Sequence, residues 1–322
     1  MTVQPTEPAV RVGGLVRTFD GRRAVDGLSF EVAAGETFGL LGHNGAGKTT
    51  TIRLLNGVLA RHGGDVSVLG LDPGAEGERV RARTGVLTET PSLDERLSAT
   101  ENLEFYGRLY GVVGSRLRER VATVLAAFGL ADRAGERVAR YSRGMKQRLA
   151  LARTLVHDPD ILFLDEPTAA LDPVAAREVH ELVEGFHRDR RRTVVLCTHN
   201  LVEAERLCDR VAIMRDGRAI AIGGPAELAR SIGVPLTVEV EVDEQDRERA
   251  LAALRDVGVS ELGPTRAGIT FHVARRDAIP QTVAALVRAG VPVFRVANAE
   301  PDLETVYFAL YGRTDEGAEP SP

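Results

Sequence analysis

The sequence of 322 residues has no uninterrupted apolar run near the roughly 20 residues needed to span a bilayer. Its longest apolar stretches, such as residues 193–197, have the length of a strand. The first ten residues carry two prolines and a glutamate, where a secretory signal needs a basic start and an apolar stretch. We therefore expect a chain that does not cross a membrane by itself and that stays in the cytosol.

Cysteine is also scarce, and the chain has no excess of positive charge. Cys197 and Cys208 are neither spaced for a metal nor numerous enough for a disulfide framework, so we expect two buried, reduced thiols and assign them no role. The net charge of −5 leaves no overall basic surface for nucleic-acid phosphates, so nucleic acid is not expected as a main partner. The content of 43% hydrophobic and 27% charged residues is typical of a globular protein with one large domain or two ordinary ones.

Lysine is rare as well, with two lysines against 39 arginines. One of them falls in a phosphate-cradle spacing that reads Gly42, His43, Asn44, Gly45, Ala46, Gly47, Lys48, Thr49. A lysine ammonium is a compact charge that reaches between two phosphates, whereas the arginine fork is wider and prefers flat partners. The composition makes a chance lysine at this place improbable.

The surroundings of this spacing strengthen the prediction. Residues 25–32 and 36–41 have the pattern of short strands joined at Ala34 and Gly35, and a helical pattern begins at Gly47. A glycine-rich loop between a strand and a helix turns backbone N–H groups and the positive end of the helix dipole towards one point. The sequence therefore predicts a phosphate-binding loop.

The rest of the first two thirds of the chain alternates strands and helices. Strand-like residues 161–164, 193–197 and 211–214 alternate with helical patterns at 173–188 and 201–207, while residues 98–138 have helical spacing throughout. This order predicts an α/β core with a mostly parallel sheet and an inserted helical subdomain at about 90–158.

A second, smaller domain is predicted after a short helix at 225–231. Its pattern is strand, helix, two strands, helix and strand, which is the βαββαβ order of a ferredoxin-like α+β unit. The expected elements cover residues 236–242, 244–257, 259–262, 269–273, 279–289 and 291–296, followed by a helix near 303–310. The predicted domains are residues 1–231 and 232–312, with a disordered tail at 313–322.

Two carboxylates, Asp165 and Glu166, directly follow the apolar strand at 161–164. In isolation such a pair is commonly a surface feature at the start of a helix. Downstream of a phosphate loop, it lies where open α/β sheets bind ligands. Asp165 then fits a bound Mg²⁺, and Glu166 could act as the general base that polarises the attacking water.

With this phosphate loop and this pair of carboxylates, the sequence resembles the nucleotide-binding subunits of ATP-binding cassette (ABC) transporters. The resemblance covers about residues 10–230. The segment from Tyr141 to Gln147 stands at the family signature, Ala170-Leu171-Asp172 at the D-loop, and Thr198-His199 at the switch histidine. The signature separates this family from other enzymes with a phosphate loop. The resemblance implies an ATP-hydrolysing fold that uses ATP and Mg²⁺.

The resemblance also implies roles for individual residues. Lys48, Glu166 and His199 are the implied catalytic residues, with Thr49, Asp165 and Glu89 at the metal. The implied nucleotide-binding residues are Phe19, Gly42, His43, Asn44, Gly45, Ala46, Gly47, Lys48, Thr49, Thr50 and Glu89. Phe19 would stack on adenine, although a core position fits it equally from the residues alone.

The signature segment is expected to act on another copy of the domain. Ser142 and Gly144 precede a helical pattern at 145–156, so the serine and the helix N-terminus form a second anion site, unless the serine is an ordinary N-cap. In the family this site faces the γ-phosphate that another copy holds, and Asp172 belongs to the D-loop between them. Lys146 is expected on the solvent or partner side of the helix, without a catalytic role.

Two departures from the family pattern stand out. Glu89 occupies the place where the Q-loop usually has glutamine, and its carboxylate adds negative charge beside Mg²⁺. Arg143 and Met145 replace glycine and glutamine in the signature, so contacts made by those two places do not carry over. The remaining site residues match the family pattern, so we expect the site to be catalytically active and not degenerate.

One copy of each motif implies that a complete site needs a second subunit, most simply in a homodimer that forms on ATP. The resemblance is to the drug-export and antibiotic-resistance branch, whose permeases are separate membrane proteins, so the chain is expected at the cytoplasmic side of the membrane. Two alternatives stay open: a soluble ABC ATPase acting on ribosomes or chromosomes, and a regulatory module that binds ATP without turnover.

Overall fold

The computed structural model describes residues 7–89, 92–169, 171–189, 192–255, 257–299 and 301–315. The chain divides into two compact units, one ending at Ile222 and the other beginning at Gly223. This division falls before the predicted boundary at 231. The helix that precedes that boundary contacts the last helix of the chain, Leu303–Asp315, and so belongs to the second unit.

The described part of the first unit contains two sheets. Its strands are β1 (Val10–Phe19), β2 (Arg22–Val32), β3 (Thr37–Leu41), β4 (Gly63–Val68), β5 (Thr84–Leu87), β6 (Ile161–Asp165), β7 (Thr193–Thr198), β8 (Arg210–Arg215) and β9 (Arg218–Gly223). The smaller sheet is antiparallel, with the order β2-β1-β4, and the larger has the order β5-β6-β7-β3-β8-β9. The successive pairs from β5 to β8 are parallel, as the sequence predicts.

The larger sheet explains why three strands are apolar along their whole length. Every residue of β3, β6 and β7 is buried. Strands at the centre of a parallel sheet are covered on both faces, so they lack the alternation of a half-exposed strand. The consecutive strands β2 and β3 lie in different sheets, which local patterns do not indicate. Both cysteines are buried as free thiols, as expected.

The helices of the first unit are α1 (Lys48–Leu55), α2 (Pro73–Ala82), α3 (Ala99–Leu109), α4 (Gly114–Ala127), α5 (Arg143–Leu155), α6 (Pro173–Asp189) and α7 (Leu201–Leu207). Helices α3 to α5 lie between β5 and β6 in the chain, where the helical subdomain is expected, although residues 90 and 91 of its predicted range lie outside the described residues. A capping box begins α3: Ser98 Oγ accepts from the Glu101 N–H at 3.2 Å, and Glu101 accepts from the Ser98 N–H at 2.7 Å.

The second unit contains α8 (Pro225–Ile232), β10 (Leu236–Glu241), α9 (Arg247–Leu254), β11 (Ser260–Pro264), β12 (Gly268–Val273), α10 (Ile279–Arg288), β13 (Arg295–Ala299) and α11 (Leu303–Asp315). Its sheet has the order β11-β12-β10-β13, with antiparallel neighbours, which is the strand order of a split βαββαβ unit. Val240, Ile269, Phe271 and Leu286 are among its core residues.

Several predicted boundaries in the second unit differ from the structure, and the helix predicted at 244–257 covers only Arg247–Leu254. The last strand occupies Arg295–Ala299 and not 291–296, because the segment after α10 first forms an irregular connection in which Val291 is buried. Helix α11 continues to Asp315, so the expected tail does not begin at 313. The remainder of that tail, residues 316–322, lies outside the described residues. Within the described part of the chain, no helix has the length and apolarity to cross a bilayer.

Candidate active site

The phosphate loop lies between β3 and α1, as predicted. Gly47 is the N-cap of α1 and has φ 103°, and a Cβ added there would lie 2.4 Å from the carbonyl oxygen of Ala24. Gly42 approaches the backbone equally closely, since its added Cβ would lie 2.5 Å from the Met214 carbonyl oxygen. These two glycines are therefore required by the shape of the loop. Ala46, which is buried, donates its N–H to the His43 carbonyl oxygen.

Lys48 is buried at the first position of α1, and its ammonium group lies inside the loop. Lys48 Nζ donates to the carbonyl oxygens of Gly42, at 2.6 Å, and His43, at 3.3 Å. It also lies 3.3 Å from Glu166 Oε1, and both side chains are almost fully buried. The structure therefore places a compact positive charge between the loop and the carboxylate that follows β6.

Glu166 connects the lysine to the predicted switch histidine. Its Oε2 lies 2.8 Å from His199 Nδ1, and its backbone N–H donates to the Cys197 carbonyl oxygen of β7. Glu166 has φ 50°, in the left-handed region that costs a non-glycine residue strain and recurs at functional sites. Lys48, Glu166 and His199 thus form one continuous polar chain.

Asp165 is the second carboxylate at this edge, and it accepts a hydrogen bond from Thr49. Burial raises the pKa of the Asp165 carboxyl above its usual value; the Thr49 hydrogen bond opposes this, while the charges of Glu166 and Glu89 add to it. Asp165 Oδ1 is buried without a hydrogen-bond partner among the described residues. Such an unpaired oxygen, beside a threonine hydroxyl, is the kind of oxygen donor that Mg²⁺ prefers.

These protein groups do not enclose a metal by themselves. Over the described ranges, no group of three or more His, Cys, Asp or Glu side chains is placed to hold an ion. A Mg²⁺ ion commonly binds through one or two protein ligands together with water and the phosphates of a nucleotide. The donor set of Thr49 and Asp165 fits that shared arrangement.

A cleft of about 490 Å³ opens beside the phosphate loop, and most of the predicted nucleotide-binding and catalytic residues line it. Its lining residues are Phe19, Arg22, Ala24, Asn44, Gly45, Gly47, Lys48, Thr49, Thr50, Glu89, Glu166, Ala169 and His199. Phe19 is 40% exposed, so it is not a core residue, and the guanidinium of Arg17 lies over its ring at 4.5 Å from the centroid. Gly42, His43 and Ala46 complete the loop without lining the cleft.

The sequence did not indicate three of the lining residues: Arg22, Ala24 and Ala169. A signal for Arg22 was present, because Asp20-Gly21 is a two-residue hairpin turn that pairs Phe19 with Arg22 across β1 and β2. Ala24 and Ala169 carry no chemical signal, since they contribute to the cleft only through their position.

The predicted signature residues lie elsewhere. Ser142 is the exposed N-cap of α5, and its Oγ accepts from the Met145 N–H at 3.2 Å, so the helix begins at Arg143 and not at Met145. Neither Ser142 nor Gly144 lines the cleft. Lys146 forms an ion pair with Glu95 on the surface. Asp172 caps α6 through its Oδ1, whereas Ala170 lies outside the described residues.

This geometry defines a class of protein. A glycine loop at the end of β3, two carboxylates at the end of β6 and a histidine after β7 meet at one edge of a parallel sheet, which is the arrangement of a P-loop enzyme that hydrolyses nucleotides. An arrangement of this class can support the attack of water on a bound phosphate.

Comparisons with known proteins identify the family. The ABC transporter family profile matches residues 25–169. The chain is 39% identical to the daunorubicin/doxorubicin resistance ATP-binding protein of Streptomyces peucetius, over 99% of this chain and 98% of that protein. It is 37% identical to the Nod factor export ATP-binding protein I of Ralstonia nicotianae, over 95% of this chain and 94% of that protein. The protein belongs to the ATP-binding subunits of ABC transporters.

Solved structures agree with this assignment. The structure of an ATP-binding subunit of an ABC transporter matches with a TM-score of 0.64 and 30% identity, covering 70% of this chain and 94% of that one. The structure of cbiO1 from Clostridium perfringens, part of the ABC transporter complex cbiONQ, also has a TM-score of 0.64, with 29% identity over 69% of this chain and 91% of that one. The predicted family and fold are confirmed, and the protein is an ATPase whose activity is coupled to transport.

Proposed function

We propose that this subunit binds Mg²⁺ and ATP, dimerises on ATP, and drives a separate membrane permease that exports a hydrophobic, drug-like compound. Two relatives with full-length similarity are a daunorubicin/doxorubicin resistance protein and a Nod factor export protein. A fluoroquinolones export ATP-binding protein of Mycobacterium tuberculosis is 44% identical over 68% of this chain and 72% of that protein. The proposed location is the cytoplasmic side of the membrane, held there by the permease.

The observation that carries the hydrolytic part is the position of Glu166 between Lys48 and His199. A carboxylate beside the phosphate loop can accept a proton from the attacking water, and the imidazole can orient that carboxylate and contact the γ-phosphate. Lys48 neutralises charge on the β- and γ-phosphates. Mg²⁺, when bound through Thr49 and Asp165, supplies further neutralisation of the phosphate oxygens.

The exposed signature supports the proposal of a dimer. Ser142, the N-cap of α5, and the N–H groups of the first turn of that helix would form an anion-binding group, and they do not line this chain's own cleft. A second copy would bring that group to the cleft, and a homodimer completes two sites with one kind of subunit. Asp172 would lie between the two copies. Glu89, which lines the cleft, would pass the change in nucleotide state to the permease.

The test uses Glu166→Gln, which keeps the size of the side chain and removes its ability to accept a proton. The full chain, assayed with its membrane partner, should lose nearly all Mg²⁺-dependent ATP hydrolysis, keep ATP binding, and accumulate as an ATP-bound dimer in size-exclusion chromatography with light scattering. Glu181→Gln, which removes an exposed carboxylate on α6, is the matched control and should hydrolyse ATP normally. Wild-type hydrolysis in Glu166→Gln would refute the assigned role.

A second experiment tests the partner. Affinity purification of the full chain from membranes should recover an integral membrane protein, and recovery with ribosomes or DNA alone would contradict the transporter proposal. The alternative of a ribosomal or chromosomal ATPase is not favoured, because two relatives that match this chain along nearly its whole length are a resistance and an export ATP-binding protein.

A further inference from the structure

Outside the cleft, Glu203 of α7 is a carboxylate that is fully buried. Its Oε1 accepts a hydrogen bond from Thr168 Oγ1 at 2.8 Å and lies 3.0 Å from His180 Nε2, within donor distance. Its Oε2 is buried with no hydrogen-bond partner in the described part of the chain. A buried carboxylate is costly to desolvate, and this one has donors on only one of its oxygens.

The partners of Glu203 join the two segments that carry the polar chain of the active site. Thr168 lies two residues after Glu166, and Glu203 lies four residues after His199. The Glu203 N–H also donates to Asn200 Oδ1 at 3.2 Å, and the Asn200 N–H donates to Thr198 Oγ1 at 3.0 Å. One side chain therefore ties the loop after β6 to the loop after β7.

We propose that Glu203 is a positioning residue for ATP hydrolysis, which holds the Glu166 segment against the His199 segment through Thr168. The contact that it maintains is the 2.8 Å approach of Glu166 Oε2 to His199 Nδ1. This inference rests on the proposed role of Glu166. An apolar side chain of the same size would pack α7 without the cost of a buried charge, whereas it would not bind the Thr168 hydroxyl.

The experiment removes each side of the Glu203–Thr168 hydrogen bond without a large change in volume. Glu203→Met and Thr168→Val should each lower the kcat of Mg²⁺-dependent ATP hydrolysis by about tenfold to a hundredfold, the size expected when a reacting group is misplaced. The KM for ATP should stay within about twofold of wild type, because the phosphate loop is unchanged. The double variant should be no slower than the slower single variant, since both changes break one contact. Thr168→Ser should retain the wild-type kcat.

A matched control separates positioning from stability. Thr282 of α10 is also buried, and its hydroxyl donates to the Ile279 carbonyl oxygen at 2.7 Å. Thr282→Val should lower the melting temperature without changing kcat. Losses of kcat in the double variant that equal the product of the two single losses would overturn the proposal, as would a rise in KM that matches the fall in kcat.

A second measurement does not depend on ATP turnover, so it tests the role of Glu203 even in a preparation that does not hydrolyse ATP. The ¹⁵N signals of the His199 ring report the hydrogen bond at Nδ1, and Glu203→Met and Thr168→Val should both shift them, whereas Thr282→Val should not. Unchanged signals in Glu203→Met would overturn the proposal. If the wild type hydrolyses ATP and Glu166→Gln does not, a normal kcat in Glu203→Met refutes the positioning role of Glu203 and leaves the proposed function intact. If the wild type does not hydrolyse ATP, the proposed function fails, and the ring signals alone test the role of Glu203.

Discussion

Replacing Lys48 by arginine tests whether the loop requires a compact ammonium group or only a positive charge. Lys48 Nζ lies 2.6 Å from the Gly42 carbonyl oxygen and 3.3 Å from Glu166 Oε1, and the lysine side chain is only 6% exposed. A guanidinium group is wider and planar, so it cannot occupy this space and also keep both contacts. The positive charge is retained in this variant, and only its geometry changes.

The expected loss follows from the contacts. A hydrogen bond to a charged group contributes about 1.5–3 kcal/mol, and misplacing one such bond to a phosphate therefore weakens ATP binding by about 10- to 150-fold. Because Glu166 loses its close cation as well, hydrolysis should fall further than binding. Isothermal titration calorimetry with Mg²⁺ and ATP gives the Kd, and a thermal melt shows that the variant is folded.

The second lysine provides the control. Lys146 pairs with Glu95 at the surface, where both side chains are partly exposed, so Lys146→Arg keeps a surface ion pair and should change the Kd by less than about twofold. Equal Kd values for Lys48→Arg and the wild type would refute the geometric argument. So would an equally large loss in Lys146→Arg, since the substitution would then act without regard to position.

Three further predictions concern the phosphate loop, Phe19 and the surface ion pair between Arg61 and Asp72. Gly47→Ala should weaken ATP binding at least tenfold, because its Cβ would lie 2.4 Å from a backbone carbonyl oxygen, whereas Gly135→Ala has open space and should bind normally; equal binding by both in calorimetry would contradict this. Phe19→Ala should raise the Kd for ATP by about 5- to 150-fold through lost stacking, with Phe308→Ala unchanged in the same titration. The hydrogen bonds and charge of Arg61 lower the pKa of Asp72 to about 2, so Asp72→Asn should cost about 0.5–1 kcal/mol in urea unfolding at pH 7, and the difference should shrink below about pH 4 and vanish below about pH 2.

The phosphate site was predictable because its signals are local. The glycine spacing before Lys48, the strand that precedes it and the helix that follows it occur within one short segment, and each has its own sequence pattern. The carboxylates were predictable for a similar reason, since Asp165 and Glu166 end an unusually apolar strand. Their assignment to one site needed only the rule that parallel strands bring their carboxyl ends to one edge.

The contacts that were not predicted are those between distant segments. Thr168, His180 and Glu203 each resemble ordinary polar residues of a loop or a solvent-facing helix, and they form a buried cluster only because α6 and α7 pack together. The assignment of β2 and β3 to separate sheets has the same cause, since strand pairing depends on non-local partners. The left-handed backbone of Glu166 has no local signature either, because such strain persists only where the surrounding fold imposes it.

The strand order is what turns these separate signals into one site. β7 lies between β6 and β3 in the larger sheet, so the histidine loop at its end has the carboxylate loop on one side and the phosphate loop on the other. His199 can therefore reach Glu166 at 2.8 Å, while Glu166 reaches Lys48 at 3.3 Å. The strands β6 and β3 lie two strand spacings apart, about 9.6 Å, so the long side chains of Glu166 and Lys48 meet across the end of β7. The catalytic geometry thus depends on long-range β pairing as much as on the motifs that the pairing brings together.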